Sequence, residues 1–270
     1  MPYLDNFNYQ ILGPTSAPKL VFLHGLMGSG ANWRRITPAF EKNYQILLLD
    51  QRGHGRSFHP QGPYTPEAYA DDLNQILMEL NWPTIYLVGH SMGGRNALVF
   101  ADKYPEKVKK LVIEDIGPHL NWEAGERISK MIQSIPTPFL NRLEAKNYFQ
   151  GPFLDERGQT ESAKVLGQYL YANIAESAQG VQDWRFSKAG VLASIEEGRT
   201  HERWKELQNL NIPTLIIRGE FSEELKQEVY EKMLTQNKFI QGRVILGCGH
   251  WVHSEKPEEF IKILSNFLTS

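Results

Sequence analysis

The chain has 270 residues, 41% of them hydrophobic, and a formal net charge of −2 at pH 7. This length holds one large α/β domain with an insertion, or two small domains, with enough apolar residues for a full core. The near-neutral charge and the scattered Lys and Arg residues argue against a nucleic-acid surface. The single cysteine, Cys248, excludes an intrachain disulfide and fits a reducing compartment.

Residues 1–13 are polar and lack the basic start and apolar stretch of a signal peptide. No apolar run in the sequence has the length that a transmembrane helix needs. We therefore expect no membrane span and a cytoplasmic location.

Short apolar runs, typical of buried parallel strands, alternate with helical stretches along the chain. The predicted strands are residues 20–23, 45–49, 85–88, 108–113, 214–217 and 243–246. The predicted helices are residues 66–80, 95–103, 222–234 and 257–268. This alternation predicts an α/β fold with a mostly parallel central sheet and helices on both faces. Functional groups are then expected at the carboxyl ends of the strands.

The alternation stops between about residues 117 and 210, where helical periodicity is found near 122–135, 139–149 and 160–174. We interpret this stretch as a helical cap insertion that lies over the carboxyl edge of the sheet. The expected organisation is a core domain of residues 1–116 and 211–270, with the cap at 117–210.

Residues 89–94 read Gly-His-Ser-Met-Gly-Gly and lie between a predicted strand and a predicted helix. G-x-S-x-G in that place is the pattern of a nucleophile elbow, a strained turn whose glycines leave no room for other side chains. The pattern predicts that Ser91 is a nucleophile at the sheet edge. The following helix begins beside it, and its N–H groups can face an anion.

A glycine-rich loop, His24-Gly25-Leu26-Met27-Gly28-Ser29-Gly30, follows the first predicted strand. Acyl transfer needs two fixed N–H donors for the negative oxygen of its tetrahedral intermediate. The candidates are the backbone N–H groups of Leu26 and Met92. Alternatively, the loop only makes a turn or cradles a phosphate, although its glycine spacing fits a dinucleotide fingerprint poorly.

The segment Gly249-His250-Trp251-Val252-His253 follows the last predicted strand. From this loop His250 can reach the sheet edge, take the proton of Ser91 and return it to a leaving alcohol. We interpret His253 as structural. The two histidines could suggest a metal pair, but we find no carboxylate or cysteine cluster that completes a site, so no metal is expected.

Together these residues resemble the α/β-hydrolase fold family. The resemblance rests on His24-Gly25, residues 50–57, residues 89–94 and Gly249-His250, in that order, and it extends over nearly the whole chain. It implies the α/β-hydrolase fold, a cap or lid at 117–210 and a serine–acid–histidine order of catalytic residues along the chain.

The position of the acid departs from the pattern of many family members, in which an aspartate follows the strand after the cap in Gly-x-x-Asp. Here Ser222 occupies that place, whereas Asp115 ends the strand after the elbow helix in Asp-Ile-x-Pro. This arrangement resembles the bacterial YbfF-type esterases, and the resemblance implies that Asp115 orients His250. Glu220 is an alternative acid, as are the glutamates at 223 and 224.

Ser222 has two interpretations of its own. From the vacated position its hydroxyl could hydrogen-bond to Asp115 or His250, as a supporting contact of the site. It could equally be an ordinary N-cap of the helix predicted to follow.

These residues predict hydrolysis of a carboxylic ester by a Ser91–His250–Asp115 acyl-enzyme mechanism without a metal or organic cofactor. The expected partner is a small-molecule ester with a short- to medium-chain acyl group. Alternatives on the same triad are a thioesterase and a carbon–carbon bond hydrolase, and a third is a hydrolase-fold receptor for a small ligand. Apolar cap residues are expected to line an acyl pocket or to form the cap core: Trp122, Met131, Ile132, Phe139, Leu140, Phe149, Phe153 and Trp184.

Overall fold

The computed structural model describes residues 2–177 and 179–270, and those residues form nine strands and eleven α-helices. The strands are β1 (Tyr9–Leu12), β2 (Lys19–Leu23), β3 (Gln45–Leu49), β4 (Ile85–His90), β5 (Val108–Glu114), β6 (Ile174–Glu176), β7 (Gln182–Trp184), β8 (Thr214–Gly219) and β9 (Ile240–Ile245). The helices are α1 (Pro66–Glu79), α2 (Met92–Lys103), α3 (Trp122–Ser134), α4 (Arg142–Gln150), α5 (Pro152–Asp155), α6 (Glu161–Ala172), α7 (Lys188–Glu197), α8 (Trp204–Asn209), α9 (Gln227–Leu234), α10 (Val252–Glu255) and α11 (Pro257–Thr269).

The central sheet has seven strands in the order β1-β3-β2-β4-β5-β8-β9. Strand β1 pairs antiparallel with β3, and the other neighbours are parallel. The mostly parallel sheet predicted from the sequence is therefore confirmed. The sequence prediction missed β1 because this edge strand is half exposed and carries no continuous apolar run.

Successive strand residues pack on opposite faces of the sheet, as the pleat requires. In β2, Val21 and Leu23 join the cluster that α1 and α2 cover, whereas Leu20 and Phe22 join the cluster covered by α11. Phe260 of α11 is fully buried in the second cluster. Helices thus cover both faces of the sheet, as predicted. A functional site is therefore expected at the carboxyl ends of the strands.

Two predicted elements near the C-terminus have different bounds in the structure. Strand β9 is Ile240–Ile245 rather than 243–246, because its residues alternate between buried and exposed and form no apolar run. Helix α9 begins at Gln227 rather than at 222. The segment before it is a turn, in which the Ser222 hydroxyl accepts a hydrogen bond from the Leu225 N–H at 3.1 Å.

Between β5 and β8 the described residues form six helices, α3 to α8, and the two-stranded antiparallel sheet of β6 and β7. The three predicted helical stretches correspond to α3, α4 and α6, whereas α5, α7, α8, β6 and β7 had no sequence prediction. This segment has its own buried cluster, which includes Phe149, Phe153 and Leu170, and Met27 from the core loop packs into it. No helix of residues 2–177 or 179–270 is long and apolar enough to cross a membrane.

Candidate active site

Ser91 lies at a sharp turn between the end of β4 and the start of α2. Its backbone has a positive φ of 54° with a ψ of −120°, which is strained for a non-glycine residue. Side chains at the flanking glycines would collide with backbone. A Cβ on Gly93 would lie 2.5 Å from the carbonyl oxygen of Leu23, and one on Gly89 would lie 2.3 Å from that of Gly93. The glycines therefore permit the turn that exposes the Ser91 hydroxyl.

His250 lies beside Ser91, with its Nε2 atom 2.9 Å from the Ser91 Oγ atom. Its Nδ1 atom is 2.7 Å from the Oδ2 atom of Asp115. Burial alone would lower the pKa of His250, but the hydrogen bond and the negative charge of Asp115 outweigh it. The pKa of His250 is therefore raised above its usual value of 6.5. The three side chains form one continuous hydrogen-bonded line.

Asp115 is held by donors from three other segments. It follows β5 with a φ of 55°, and its side chain is fully buried. Its Oδ1 atom accepts the Gly219 N–H at 2.9 Å, while its Oδ2 atom accepts both the Ser222 hydroxyl and the His250 ring N–H. These contacts leave the carboxylate one orientation, with Oδ2 aimed at His250.

The alternative acids lie elsewhere. The carboxylate of Glu220 is exposed and accepts the Gly247 N–H at 2.8 Å. Glu223 and Glu224 face Arg127, whose guanidinium lies 3.5 Å and 3.2 Å from their carboxylates. Of these four carboxylates, Asp115 is the one in hydrogen-bond contact with His250.

The two predicted oxyanion donors lie close to Ser91. A Cβ on Gly25, the residue before Leu26, would lie 3.3 Å from the Cβ of Ser91. Met92 follows Ser91 directly and is the first residue of α2. Among the described residues, neither the Leu26 N–H nor the Met92 N–H donates to a protein acceptor. Both amides are therefore available to a negative oxygen formed next to Ser91.

A cavity of about 570 Å³ opens at Ser91 and His250. Its apolar wall consists of Leu26, Met27, Ile128, Met131, Leu166, Phe221 and Trp251. Its charged lining residues are Arg127, Arg157, Glu223 and Glu224, so that two positive and two negative side chains balance. The cavity thus offers an apolar surface next to Ser91 and a polar region with little net charge.

Most of the cap residues named from the sequence do not line this cavity. Met131 does, whereas four aromatic or aliphatic residues belong to the buried cluster of the segment: Ile132, Phe139, Phe149 and Phe153. Trp184 packs against that cluster. Trp122 is 56% exposed and Leu140 is 76% exposed. Ile128 and Leu166 line the cavity without having been named, because helical periodicity does not distinguish a residue facing a cavity from one facing a core.

A second histidine–carboxylate pair lies beneath the first. His253 Nδ1 is 2.8 Å from the Oε1 atom of Glu114, which also accepts the His253 backbone N–H at 2.9 Å. His90, Glu114 and His253 are all buried, and each offers a possible metal ligand within 4.8 Å of the others. The Glu114 carboxylate accepts both hydrogen bonds from His253, whereas the buried Nε2 atom of His253 has no partner among the described residues. The expectation that no carboxylate lies beside these histidines is therefore wrong, because Glu114 at the end of β5 is buried against His253.

His90 connects this cluster to the first one. Its Nε2 atom is 3.0 Å from the carbonyl oxygen of His250, and its ring lies 4.7 Å from the His250 ring, centroid to centroid. Burial, with the nearby rings of His250 and His253, holds the pKa of His90 well below 6.5. His90 therefore stays neutral and can donate from Nε2 to the backbone that carries His250.

One contact, between the helix that follows Ser91 and the end of α7, was not predicted from the sequence. Arg95, on the first turn of α2, is buried and donates from Nη1 to the Gly198 carbonyl oxygen at 3.1 Å, at the end of α7. Burial and the charges of Arg199 and Arg203 lower the pKa of Arg95 to about 9. The available signal was an arginine directly after Gly93-Gly94, ahead of the apolar residues 97–101 of the same helix.

Comparisons with known proteins show which family and fold this chain resembles. A family model described as alpha/beta hydrolase fold matches residues 18–167. A mouse (Mus musculus) protein named sn-1-specific diacylglycerol lipase ABHD11 is 30% identical to this chain, over 97% of this chain and 84% of that protein. The solved structure of E-2-(acetamidomethylene)succinate hydrolase has a TM-score of 0.86 at 25% identity, covering 98% of this chain and 95% of its own. A structure titled marine microorganism esterase has a TM-score of 0.81 at 28% identity, covering 97% and 98%.

Proposed function

Because the chain belongs to the α/β-hydrolase fold family, we propose that it hydrolyses carboxylic esters with short- to medium-chain acyl groups through a covalent acyl-enzyme. Relatives named as a lipase and an esterase support a hydrolase activity. The observation that carries the proposal is the line of contacts from the Ser91 hydroxyl through His250 to Asp115, at 2.9 Å and 2.7 Å. In this proposal Ser91 is the nucleophile, His250 the base and Asp115 the acid.

The proposed reaction follows from the direction of each hydrogen bond. Asp115 accepts the Nδ1 hydrogen of His250, which leaves the Nε2 lone pair facing the Ser91 hydroxyl. His250 takes the hydroxyl proton as Ser91 Oγ attacks the acyl carbon, and the carbonyl oxygen becomes negative. The Leu26 and Met92 N–H groups stabilise that oxygen, a contribution typically worth about 10²–10³ in rate per donor.

The second half of the proposed cycle returns the site to its starting state. His250 gives its proton to the leaving alcohol as the tetrahedral intermediate collapses to the acyl-enzyme. A water molecule then loses a proton to His250 and attacks the acyl carbon. His250 gives this proton to Ser91 Oγ as the bond from Oγ to the acyl carbon breaks, and the carboxylic acid is released. Every proton moved in the cycle passes through the Nε2 atom of His250.

We further propose that residues 117–210 act as a cap that selects the acyl group, on the core formed by 1–116 and 211–270. Ile128, Met131 and Leu166 from this segment line the cavity beside Ser91. An apolar surface of this kind favours an alkyl chain over a charged group because burying a charge without a partner costs several kcal/mol. The volume of about 570 Å³ suits a small substrate.

The test is covalent labelling followed by turnover. A fluorophosphonate probe should label the wild-type protein at Ser91, and Ser91→Ala should abolish labelling. Ser129→Ala, on α3 outside the cavity at Ser91, is the matched control and should be labelled normally. Kinetics on p-nitrophenyl esters of two to twelve carbons, beside thioesters of the same acids, then determine the preferred acyl length and the leaving atom.

The outcomes separate the candidate functions. Preferential turnover of the ester series supports the esterase proposal, and a clear preference for thioesters would replace it with a thioesterase. Labelling of Ser91 without turnover of either series would contradict the proposal and favour a carbon–carbon bond hydrolase or a ligand receptor. The absence of labelling would contradict a serine nucleophile altogether.

A further inference from the structure

We infer that Tyr169, on helix α6, is a positioning residue for the oxyanion hole, because its hydroxyl holds the turn that carries the Leu26 N–H group. The inference rests on the proposed function, since it concerns a donor of that reaction. Tyr169 lies 78 positions from Ser91 in the chain and does not line the cavity, so no sequence motif connects it to the chemistry.

The carbonyl of Gly25 determines where the Leu26 N–H points. The two belong to one trans peptide group, in which C=O and N–H point in opposite directions. Gly28 N–H donates to the Gly25 oxygen at 3.1 Å and closes a tight turn, in which Met27 has a φ of 63°. This strained turn needs outside support, because φ above zero is unfavourable for a methionine.

The core supports one side of the turn through His24. The Nε2 atom of His24 accepts the Gln51 backbone N–H at 2.9 Å, so the ring hydrogen must be on Nδ1. That Nδ1–H group donates to the Gly25 oxygen at 2.8 Å. Burial lowers the pKa of His24, which keeps the ring neutral in this tautomer.

Tyr169 supports the other side of the turn. Its hydroxyl donates to the Leu26 carbonyl oxygen at 2.9 Å and lies 3.4 Å from that of Gly25. The carbonyls of both peptide groups flanking the Leu26 α-carbon therefore face the same phenol. Gly28 makes this approach possible, because a Cβ there would lie 2.3 Å from the Tyr169 hydroxyl oxygen. The hydroxyl fits a space that the turn leaves for it.

The rest of Tyr169 belongs to the structure above the sheet edge. Its ring packs in the same buried cluster as Met27 and Leu170. The ring also contacts the indole of Trp251, the residue after His250, at 6.0 Å between centroids. Leu166, on the same helix, lines the cavity. Helix α6 therefore touches the acyl cavity, the oxyanion turn and the loop of the base at once.

Tyr169→Phe removes the hydroxyl and keeps the ring in its cluster. We expect kcat on the preferred ester to fall about tenfold with KM within about twofold, because a misdirected Leu26 N–H weakens binding of the transition state alone. This loss is smaller than the factor of about 10²–10³ for complete removal of an oxyanion donor. The reason is that the His24 and Gly28 contacts still hold the turn in this variant. The acid limb of the pH profile should not move, because no contact of the His250 ring nitrogens changes.

Tyr171→Phe is the matched control. Tyr171 is on the same helix, and its ring lies under the Arg142 guanidinium at 4.9 Å, away from the oxyanion turn. A second measurement uses trifluoromethyl ketones, whose carbonyl carbon bonds to Ser91 Oγ while the Oγ proton passes to His250 and the ketone oxygen becomes negative. Their inhibition constants should weaken in Tyr169→Phe by the same factor as kcat/KM, and in Tyr171→Phe not at all.

Three results would overturn the inference. If the wild-type enzyme is active and Tyr169→Phe retains both its kcat and its affinity for the ketone, the hydroxyl does not position the donor, although the proposed function stands. Equal losses in Tyr169→Phe and Tyr171→Phe would indicate general destabilisation of α6. A wild-type protein that neither hydrolyses esters nor forms the ketone adduct would instead overturn the proposed function, and this role with it.

Discussion

Replacing Asp115 by Asn tests the acid at a single atom. In the wild-type protein Oδ1 accepts the Gly219 N–H at 2.9 Å, so the Asn side chain must keep its oxygen there. Its NH₂ group then takes the place of Oδ2, 2.7 Å from His250 Nδ1. An NH₂ group donates and cannot accept, so it selects the imidazole tautomer with the hydrogen on Nε2.

That tautomer points a hydrogen at Ser91 Oγ and cannot take the serine proton. The same exchange of Asp for Asn in a serine protease triad lowers kcat by about 10⁴, which corresponds to about 5.5 kcal/mol of activation free energy. We expect a loss of that size for Asp115→Asn. The buried position supports the full value, because no water can replace the missing acceptor at a side chain that is fully enclosed.

The pH profile gives a second, independent measurement. In the proposed mechanism the free enzyme is active when His250 is neutral, so the acid limb of kcat/KM should follow the pKa of His250. Asp115 raises that pKa against the effect of burial. Without the carboxylate the effect of burial remains, so the residual activity should persist to lower pH than in the wild type, whose limb should lie above pH 6.5.

The assay is hydrolysis of a p-nitrophenyl ester from pH 4.5 to 9, with Glu220→Gln as the control. Glu220 binds the Gly247 N–H at the surface, so its variant should keep kcat within about twofold and leave the limb unchanged. The reasoning is refuted if Asp115→Asn retains a tenth of wild-type kcat. It is also refuted if Glu220→Gln is the more damaged variant.

Two further predictions concern Ser222 and His54. Ser222→Ala removes a hydroxyl donor from buried Asp115 and should lower kcat about tenfold. That factor lies at the lower end of the roughly 1.5–3 kcal/mol typical of hydrogen bonds to charged groups. Unchanged kinetics would show that the hydroxyl only caps its turn. His54 is fully buried, and burial, with a smaller effect of His24, lowers its pKa to about 3. The unfolded chain therefore binds more protons than the folded chain below pH 6.5. The contribution of His54 to the unfolding free energy should be constant above pH 6.5 and fall below it by up to about 1.4 kcal/mol per pH unit. Urea unfolding at several pH values should show a flatter dependence of the unfolding free energy on pH for His54→Gln, and an identical dependence would contradict the argument.

Much of the fold followed from local patterns. Fully buried parallel strands such as β3 and β8 are continuous apolar runs, and the sequence predicted them within two residues. The half-exposed edge strands β1 and β9 were missed or shifted, because each buries only part of its surface. The predicted helix began five residues before α9 does, at 222 instead of Gln227. Those residues form a turn in the structure, because Ser222 makes a tertiary contact with Asp115.

The sequence by itself determined which residues could react. The local features are a serine between glycines at a strand–helix junction, a histidine after the last strand and an aspartate after β5. Each follows a strand of a parallel sheet, so all three reach the same sheet edge. The sequence left the acid open among Asp115, Glu220 and the two glutamates that follow, since all are near strand ends.

The tertiary structure decided which of these groups touch. Glu220 turns to the surface, while donors from β8, the turn at Ser222 and His250 converge on Asp115. The same holds for Tyr169, whose hydroxyl meets the Leu26 carbonyl across 143 residues of chain. Hydrogen bonds act over about 3 Å whatever the sequence separation, so such partners become visible only when the chain is folded.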